Sequence, residues 1–330
     1  RRMIHLVRSR PELAKSFRLT TAARLQAFVT RHAETAIGDR ATAHLAKTYP
    51  EMSAAPPRWR IKLVPALAMC AAAIAAAVFA PLTAKLVCDV VLSFIFLSWM
   101  VLRIVGLLIG HLPPSRRGRL PDRDLPTYTI LVPLYREVNS VEGLIESLRR
   151  LDYPPEKLDI KLIIEPDDRG MREALDRLAP GAPFEIFVAP DAGPRTKPQA
   201  LNAALPFARG SFTVIYDAED RPEAGQLRQA LDAFLAHDET IACVQASLTI
   251  DNTADNWLTA MFTAEYAGLF DIFLPALTQL RLPLPLGGSS NHFRTSTLRA
   301  VGAWDPYNVT EDPDLGVRLA RFGYRSIAIS

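Results

Sequence analysis

Cysteine is scarce, with three residues in 330: Cys70, Cys88 and Cys243. Their spacing makes neither a metal-ligand set nor a disulfide framework, so they are expected as buried free thiols in a reducing compartment. Charge of one sign is also lacking. Lys+Arg total 38 against 35 Asp+Glu, a formal net charge of +3. No basic stripe is interleaved with aromatics, which excludes a nucleic-acid binder. A secretory signal is missing too, because residues 1 to 10 are charged and hold no apolar core. Internal repeats and low-complexity tracts are absent. The length exceeds one average domain and suffices for a large core. The pI of 8.8 suits a protein near an anionic cytoplasmic leaflet. The chain starts without Met and stops at Ser330 inside a strand-like run, and is expected to be part of something longer.

What is abundant is apolar sequence in one place. Hydrophobic residues make up 49% of the chain, and Leu63 to Ala84 carries no charge. A second run, Leu86 to Leu112, holds only Asp89, Arg103 and His111. Each exceeds the roughly 20 helical residues that cross a hydrocarbon core, so 61–112 is expected as a transmembrane hairpin, about 63–84 and 86–110, turning near Pro81 to Lys85. A buried hairpin in a soluble protein is disfavoured by two adjacent runs of that length. Arg58, Arg60 and Lys62 before it, and Arg116, Arg117 and Arg119 after it, place both ends in the cytosol. Asp89 and Arg103 are expected to face protein or to snorkel. Residues 1–60 read as a helical module, with Thr20 or Thr21 as a cap and Leu19, Ala23, Leu25 and Phe28 on one face, ended by Pro56 and Pro57. Residues 113–125, opening with Pro113 and Pro114, form a basic linker.

From 126 onward strands and helices alternate. Strands are expected at 129–132, 160–164, 184–188, 212–215 and 242–248. Helices are expected after Ser140 as a cap, along Val141, Leu144, Ile145 and Leu148, and at 198–208 and 225–236. This alternation argues for an α/β fold with a mostly parallel sheet and helices on both faces. In such sheets ligands bind beyond the carboxyl ends of the strands.

Acidic residues gather at those ends. The first strand runs into Pro133, Tyr135 and Glu137, the second into Glu165, Asp167 and Asp168, and the fourth into Asp217, Glu219 and Asp220. Crowded carboxylates need a cation or donors to offset their repulsion, and a hard divalent ion bridging phosphate oxygens does this. One acidic turn alone is commonly only solvated; three at one sheet edge are a candidate site. Lys197 could reach a phosphate, although Pro194 to Asn202 taken alone is a basic turn opening a helix. Gly287 to Arg294 joins a glycine turn to a strand-like run. Thr310 to Asp314 opens a helix; Thr310 and Glu311 are explained by capping, Asp312 and Asp314 are not.

These motifs, in this order, resemble family 2 glycosyltransferases of the GT-A fold, the class containing cellulose, chitin and hyaluronan synthases, and especially bacterial members with membrane helices around the catalytic domain. The resemblance covers 126–330. It implies Asp217, Glu219 and Asp220 as the metal site for Mg2+ or Mn2+, and Asp312 with Glu311 as the catalytic-base motif. Pro133, Tyr135, Glu137, Glu165, Asp168, Lys197, Asn202 and Asp217 fall on the side of the nucleotide diphosphate sugar, with UDP-glucose as the family-level donor. Gly288, Ser289, Ser290 and Asn291 match the acceptor segment, and Gln245 fits a strand end. Pro166 and Arg169 interrupt the usual acidic form after the second strand, and a Gln-x-x-Arg-Trp motif does not occur by Ser330. The implied activity is inverting transfer to a growing polysaccharide or another glycan or lipid acceptor, at the bacterial inner membrane with the catalytic domain cytosolic. Rival expectations are transfer of a single sugar to a lipid or protein, and a non-catalytic membrane sensor of nucleotide sugars. The first 60 residues resemble the amino-terminal domain of type II secretion ATPases, or are a plain cytosolic extension.

Overall fold

A computed structural model describes residues 20–56, 63–109 and 120–329. Leu19, Pro57, His111, Pro113, Pro114, Ser330, the charged residues 1 to 10 and the flanking Arg58, Arg60, Lys62, Arg116, Arg117 and Arg119 lie outside the described residues, as does the side chain of Ala23.

The sheet forms because mostly apolar runs, of four to seven residues, can bury both faces. Its strands are β1 (Tyr128–Leu134), β2 (Leu158–Ile164), β3 (Phe184–Val188), β4 (Phe212–Ile215), β5 (Ile241–Ala246), β6 (Asn291–Arg294) and β7 (Arg325–Ile329). Their order is β3-β2-β1-β4-β6-β5-β7. All pairings are parallel except those of β6, which runs antiparallel to both β4 and β5. A sheet covered on both faces favours near-continuous apolar strands; every residue of β2 is buried, including Asp159 and Lys161, which pair with each other at 3.0 Å. One core layer joins Tyr128, Val132, Leu144 and Phe234; the other joins Leu131, Ile215, Phe293 and Trp304.

The helices are α1 (Ala22–His32), α2 (Glu34–Thr48), α3 (Leu63–Phe79), α4 (Pro81–Ile109), α5 (Val141–Arg149), α6 (Arg169–Leu178), α7 (Lys197–Ala204), α8 (Gln226–Ala236), α9 (Trp257–Ala267), α10 (Leu274–Gln279), α11 (Thr295–Ala300) and α12 (Glu311–Arg321). A π-helical turn, Gly268–Phe273, joins α9 to α10.

Several expectations need correction. The hairpin breaks at Ala80, so α3 has 17 residues where a span over 63–84 was expected, and Pro81 to Lys85 form the first turn of α4, not a connector. Proline lacks an N–H and has its φ preset, so it opens a helix more readily than it continues one. Within α4, Asp89 is exposed and pairs with Lys85 at 2.6 Å, and Arg103 lies over the Trp99 ring. Cys70 and Cys88 are exposed on the hairpin, and only Cys243 is buried. Thr21 does cap α1, accepting from Arg24 N at 3.2 Å, but Leu25 and Phe28 are exposed and Gln26 is the buried residue. Ser140 and Thr310 stand at helix starts without a side-chain capping bond.

The apolar helix pair α9–α10 was not foreseen. Asn256 starts it with a capping box, accepting from Leu258 N and Thr259 N at 2.9 and 3.1 Å. Its far half packs on α4, where the Trp99 and Phe273 rings lie 5.0 Å apart. Trp257–Gln279 is long and apolar enough to cross a membrane, as is Pro81–Ile109.

Candidate active site

The carboxyl ends of β1, β2 and β4 open onto a cleft of about 430 Å³ lined by Pro133, Tyr135, Glu137, Glu165, Lys197, Asp217 and Glu219, among others. A larger hollow of about 780 Å³ lies between α1 and the β3 edge, away from the convergent carboxylates. Parallel strands end in register at the cleft because β1 pairs with β2 on one side and β4 on the other. Chain segments far apart in sequence thus deliver their polar residues to one edge.

Lys197 sits at the centre. Its Nζ lies 2.6 Å from Asp217 Oδ1 and donates to Gly288 O at 2.7 Å. Burial pulls its pKa down, but Asp217, Asp312 and Glu311 together push it above the usual lysine value. The same charges mark these groups as neighbours. Asp312 is buried, and burial, with Glu311 and Asp217 adding, raises its pKa to about 7 despite Lys197. The indole N–H of Trp304 has no partner of full hydrogen-bond geometry among the described residues, yet it leans on the Asp312 carboxyl and favours its charged form. A Cβ added to Gly288 would lie 3.9 Å from Asp312 Oδ2, so the Gly288–Asn291 segment runs directly beside it.

That segment is tightly held. Ser289 Oγ donates to the Asp220 carboxylate, and Ser290 N donates to Ile215 O at 2.9 Å. Ser290 takes a left-handed φ of 56°, a costly conformation for a side-chain-bearing residue. Gln245 Oε1 accepts from Gly287 N at 2.7 Å, and Asn291 Nδ2 donates to Gly287 O. Asp220 also accepts from Asp217 N at 2.6 Å, and burial raises its pKa to about 6. Burial likewise raises Asp217, against Lys197. Glu165, raised by burial, has Oε2 buried with no hydrogen-bond partner among the described residues.

Two expected site residues are engaged elsewhere. Asp168 caps α6, accepting from Met171 N at 3.0 Å, and also from Arg136 N at 2.6 Å. Asn202 lies outside the cleft: its Nδ2 donates to Ala41 O and Trp304 O at 3.0 and 2.8 Å, and its Oδ1 accepts from Trp304 N at 3.1 Å. Asp314 pairs with Arg318 at 2.9 Å. Arg195 lines the cleft and bridges Asp167 and Asp191; it was passed over because a basic residue in a turn carries no signal of its partners. Trp304 and Asp305, both buried, were also missed.

A family model described as "Glycosyltransferase like family 2" matches residues 126–329. Beta-monoglucosyldiacylglycerol synthase of Synechocystis sp. is 26% identical over 68% of this chain and 46% of that protein. Glucomannan 4-beta-mannosyltransferase 1 of Oryza sativa is 23% identical over 72% of this chain and 49% of its own length. The chain therefore spans about half the length of the curated relatives it matches. A mannosyltransferase from Pyrobaculum calidifontis, solved in complex with GDP-Man and Mn2+, superposes with a TM-score of 0.54, at 23% identity over 70% of this chain and 61% of that one. It shares the fold.

Proposed function

The chain belongs to the glycosyltransferase-like family 2, and from that premise we propose that it transfers a sugar, with inversion, from a nucleotide diphosphate sugar to a glycan or lipid acceptor. The observation that carries this reading is the convergence of Asp217, Lys197, Gly288 and Asp312 from four separate segments.

The residues fit a hard divalent cation, Mg2+ or Mn2+. Asp217 and Asp220 offer carboxylate oxygens whose burial disfavours their charge, the condition a cation relieves. Glu219 stands exposed at the rim. No group of three His, Cys, Asp or Glu able to hold a metal occurs among the described residues, so diphosphate oxygens and water would complete the shell. When bound, the cation supplies charge neutralisation for the departing nucleotide. Lys197 adds a fixed positive charge beside the same phosphates. Tyr135, Glu137, Pro133 and Glu165 surround the nucleoside. Asp312 accepts the proton of the acceptor hydroxyl as that oxygen attacks the anomeric carbon, and the Gly288–Asn291 segment positions the acceptor beside it. With a single base and no second carboxylate assigned as nucleophile, one displacement inverts the centre. A glucose-like sugar and UDP are the first donor pair to try, GDP-mannose the second.

The exposed apolar faces of α3 and α4 support a membrane hairpin beneath this domain, with the site on the cytosolic side. The test is sugar transfer in membranes with a panel of nucleotide sugars and with Asp312→Asn. Turnover should fall by about 10²- to 10⁴-fold; near-normal turnover sinks the base assignment, and transfer resistant to chelators sinks the metal assignment.

A further inference from the structure

The helical module before the hairpin is bolted to the two loops that bring Lys197 and Asp312 together. We infer that residues 34–55 are a working part of the active site, with Asp305 and Asn202 as positioning residues that set where Asp312 stands relative to Lys197. The inference rests on the base assignment proposed above.

Each loop is gripped twice. On the Lys197 side, α2 lies against residues 190–193 so closely that only glycine fits at the contact. A Cβ on Gly38 would fall 2.5 Å from Ala192 Cβ, and one on Gly193 would fall 2.5 Å from Thr42 Cγ2. Further along, Asn202 on α7 ties α2 to the base loop through one amide, bonding Ala41 O, Trp304 O and Trp304 N. On the Asp312 side, the fully buried Asp305 accepts from Ala54 N at 2.6 Å and Ser53 Oγ at 3.2 Å, both in the module, and from Tyr307 N at 3.1 Å in its own loop. Arg318 of α12, paired with Asp314, acts on this carboxylate through space, but its hydrogen bonds come from the module and its own turn. Thr196 Oγ1 donates to Pro306 O at 3.3 Å, closing the ring between the two loops. Trp304 lies between Asn202 and Asp305 in this network, and Arg318 of α12, the helix that carries Asp312, donates to Val301 O and Ala303 O beside it at 3.0 and 2.6 Å. A buried carboxylate that depends on donors from another segment fixes that segment's position, because losing them leaves its buried oxygens without hydrogen bonds.

The module therefore fixes a distance, and moving it should slow chemistry without weakening donor binding. The experiment uses the full chain in membranes. Gly38→Ala pushes α2 off Ala192 while favouring helix in the module itself, since alanine is the better helix former. It should lower kcat about tenfold or more, because a misplacement on the order of 1 Å costs that much, and leave donor KM within about twofold. Gly38→Ala with Ala192→Gly reopens the space and should restore kcat. Asp305→Asn should repeat the loss; if it does not accumulate folded, the Gly38 pair still decides. Wild-type kcat in Gly38→Ala, or failure of the double variant to recover, overturns the inference. Asp312→Asn separates the two claims. Near-normal turnover there removes the base assignment by itself, whereas an inactive Asp312→Asn beside an unaffected Gly38→Ala removes only the role of the module.

Discussion

Asp312 carries a stability cost that comes with its placement. Burial, with Glu311 and Asp217 adding, raises its pKa from 3.8 to about 7 in the fold. The folded state therefore holds this proton more tightly than the unfolded chain does. Its stabilising contribution is complete below the unfolded value and is lost as pH rises through about 7. Asparagine cannot ionise. Asp312→Asn should thus be more heat-stable than the wild type at pH 8, by about 1–3 kcal/mol, and the gap should close by pH 4. Thermal unfolding of the ligand-free protein at both pH values checks this. A variant that is inactive but more stable is expected where a group is placed for function and not for folding. At this same scale the sequence was half legible. Asp217, Glu165 and Asp312 could be singled out as candidates because their positions relative to strand and helix ends are visible in the chain. Asp168 and Asn202 have the same look, but Asp168 accepts from the first turn of its own helix and from Arg136 N, and Asn202 bonds the backbone of other segments; a side chain's partner is not written beside it.

Elements were legible where apolar pattern alone decides them. β3 and β4 fell on the expected residues, because short apolar runs between turn residues have few other outcomes. β6 was harder: four residues after a tight turn, antiparallel between β4 and β5, with its pairing set by distant strands. The start of α12 was visible from its acidic opening, Thr310 to Asp314, but not the constraint on its face. Gly316 faces the chain that leads into the Gly288 segment: a Cβ there would sit 2.1 Å from Leu284 O and 2.9 Å from Leu286 Cγ. Gly316→Ala should therefore destabilise the fold by about 1–3 kcal/mol by overpacking, despite alanine's helix propensity. A lowered unfolding temperature in detergent, with kcat reduced more than donor affinity, is the expected reading; an unchanged unfolding temperature would show that the backbone yields freely there.

The whole molecule poses a question of sidedness that length and apolarity alone answer wrongly. By those criteria Trp257–Gln279 qualifies as a span as readily as α4 does. Topology forbids it. The segment leaves the sheet at Ala246 and returns at Asn291, and the two strands it connects are antiparallel neighbours, with Gln245 opposite Asn291. A single crossing would put β5 and β6 on opposite sides of the bilayer. The helix must instead lie along the face from which the domain meets the hairpin. Its exposed residues Trp257, Leu258, Met261 and Phe262 recur at helical spacing on one side, while Phe273 contacts Trp99 of α4. Such an arrangement suits burial at the headgroup boundary, with tryptophan at the interface. Cysteines placed singly at Met261 and Leu280, with Cys70, Cys88 and Cys243 replaced, test it in sealed vesicles. Both positions should react with a membrane-impermeant thiol reagent only from one and the same side, and spin labels there should report shallow depth. Labelling of the two positions from opposite sides would mean that the sheet pairing of β5 with β6, and with it the placement of the Gly288 segment beside Asp220, is wrong.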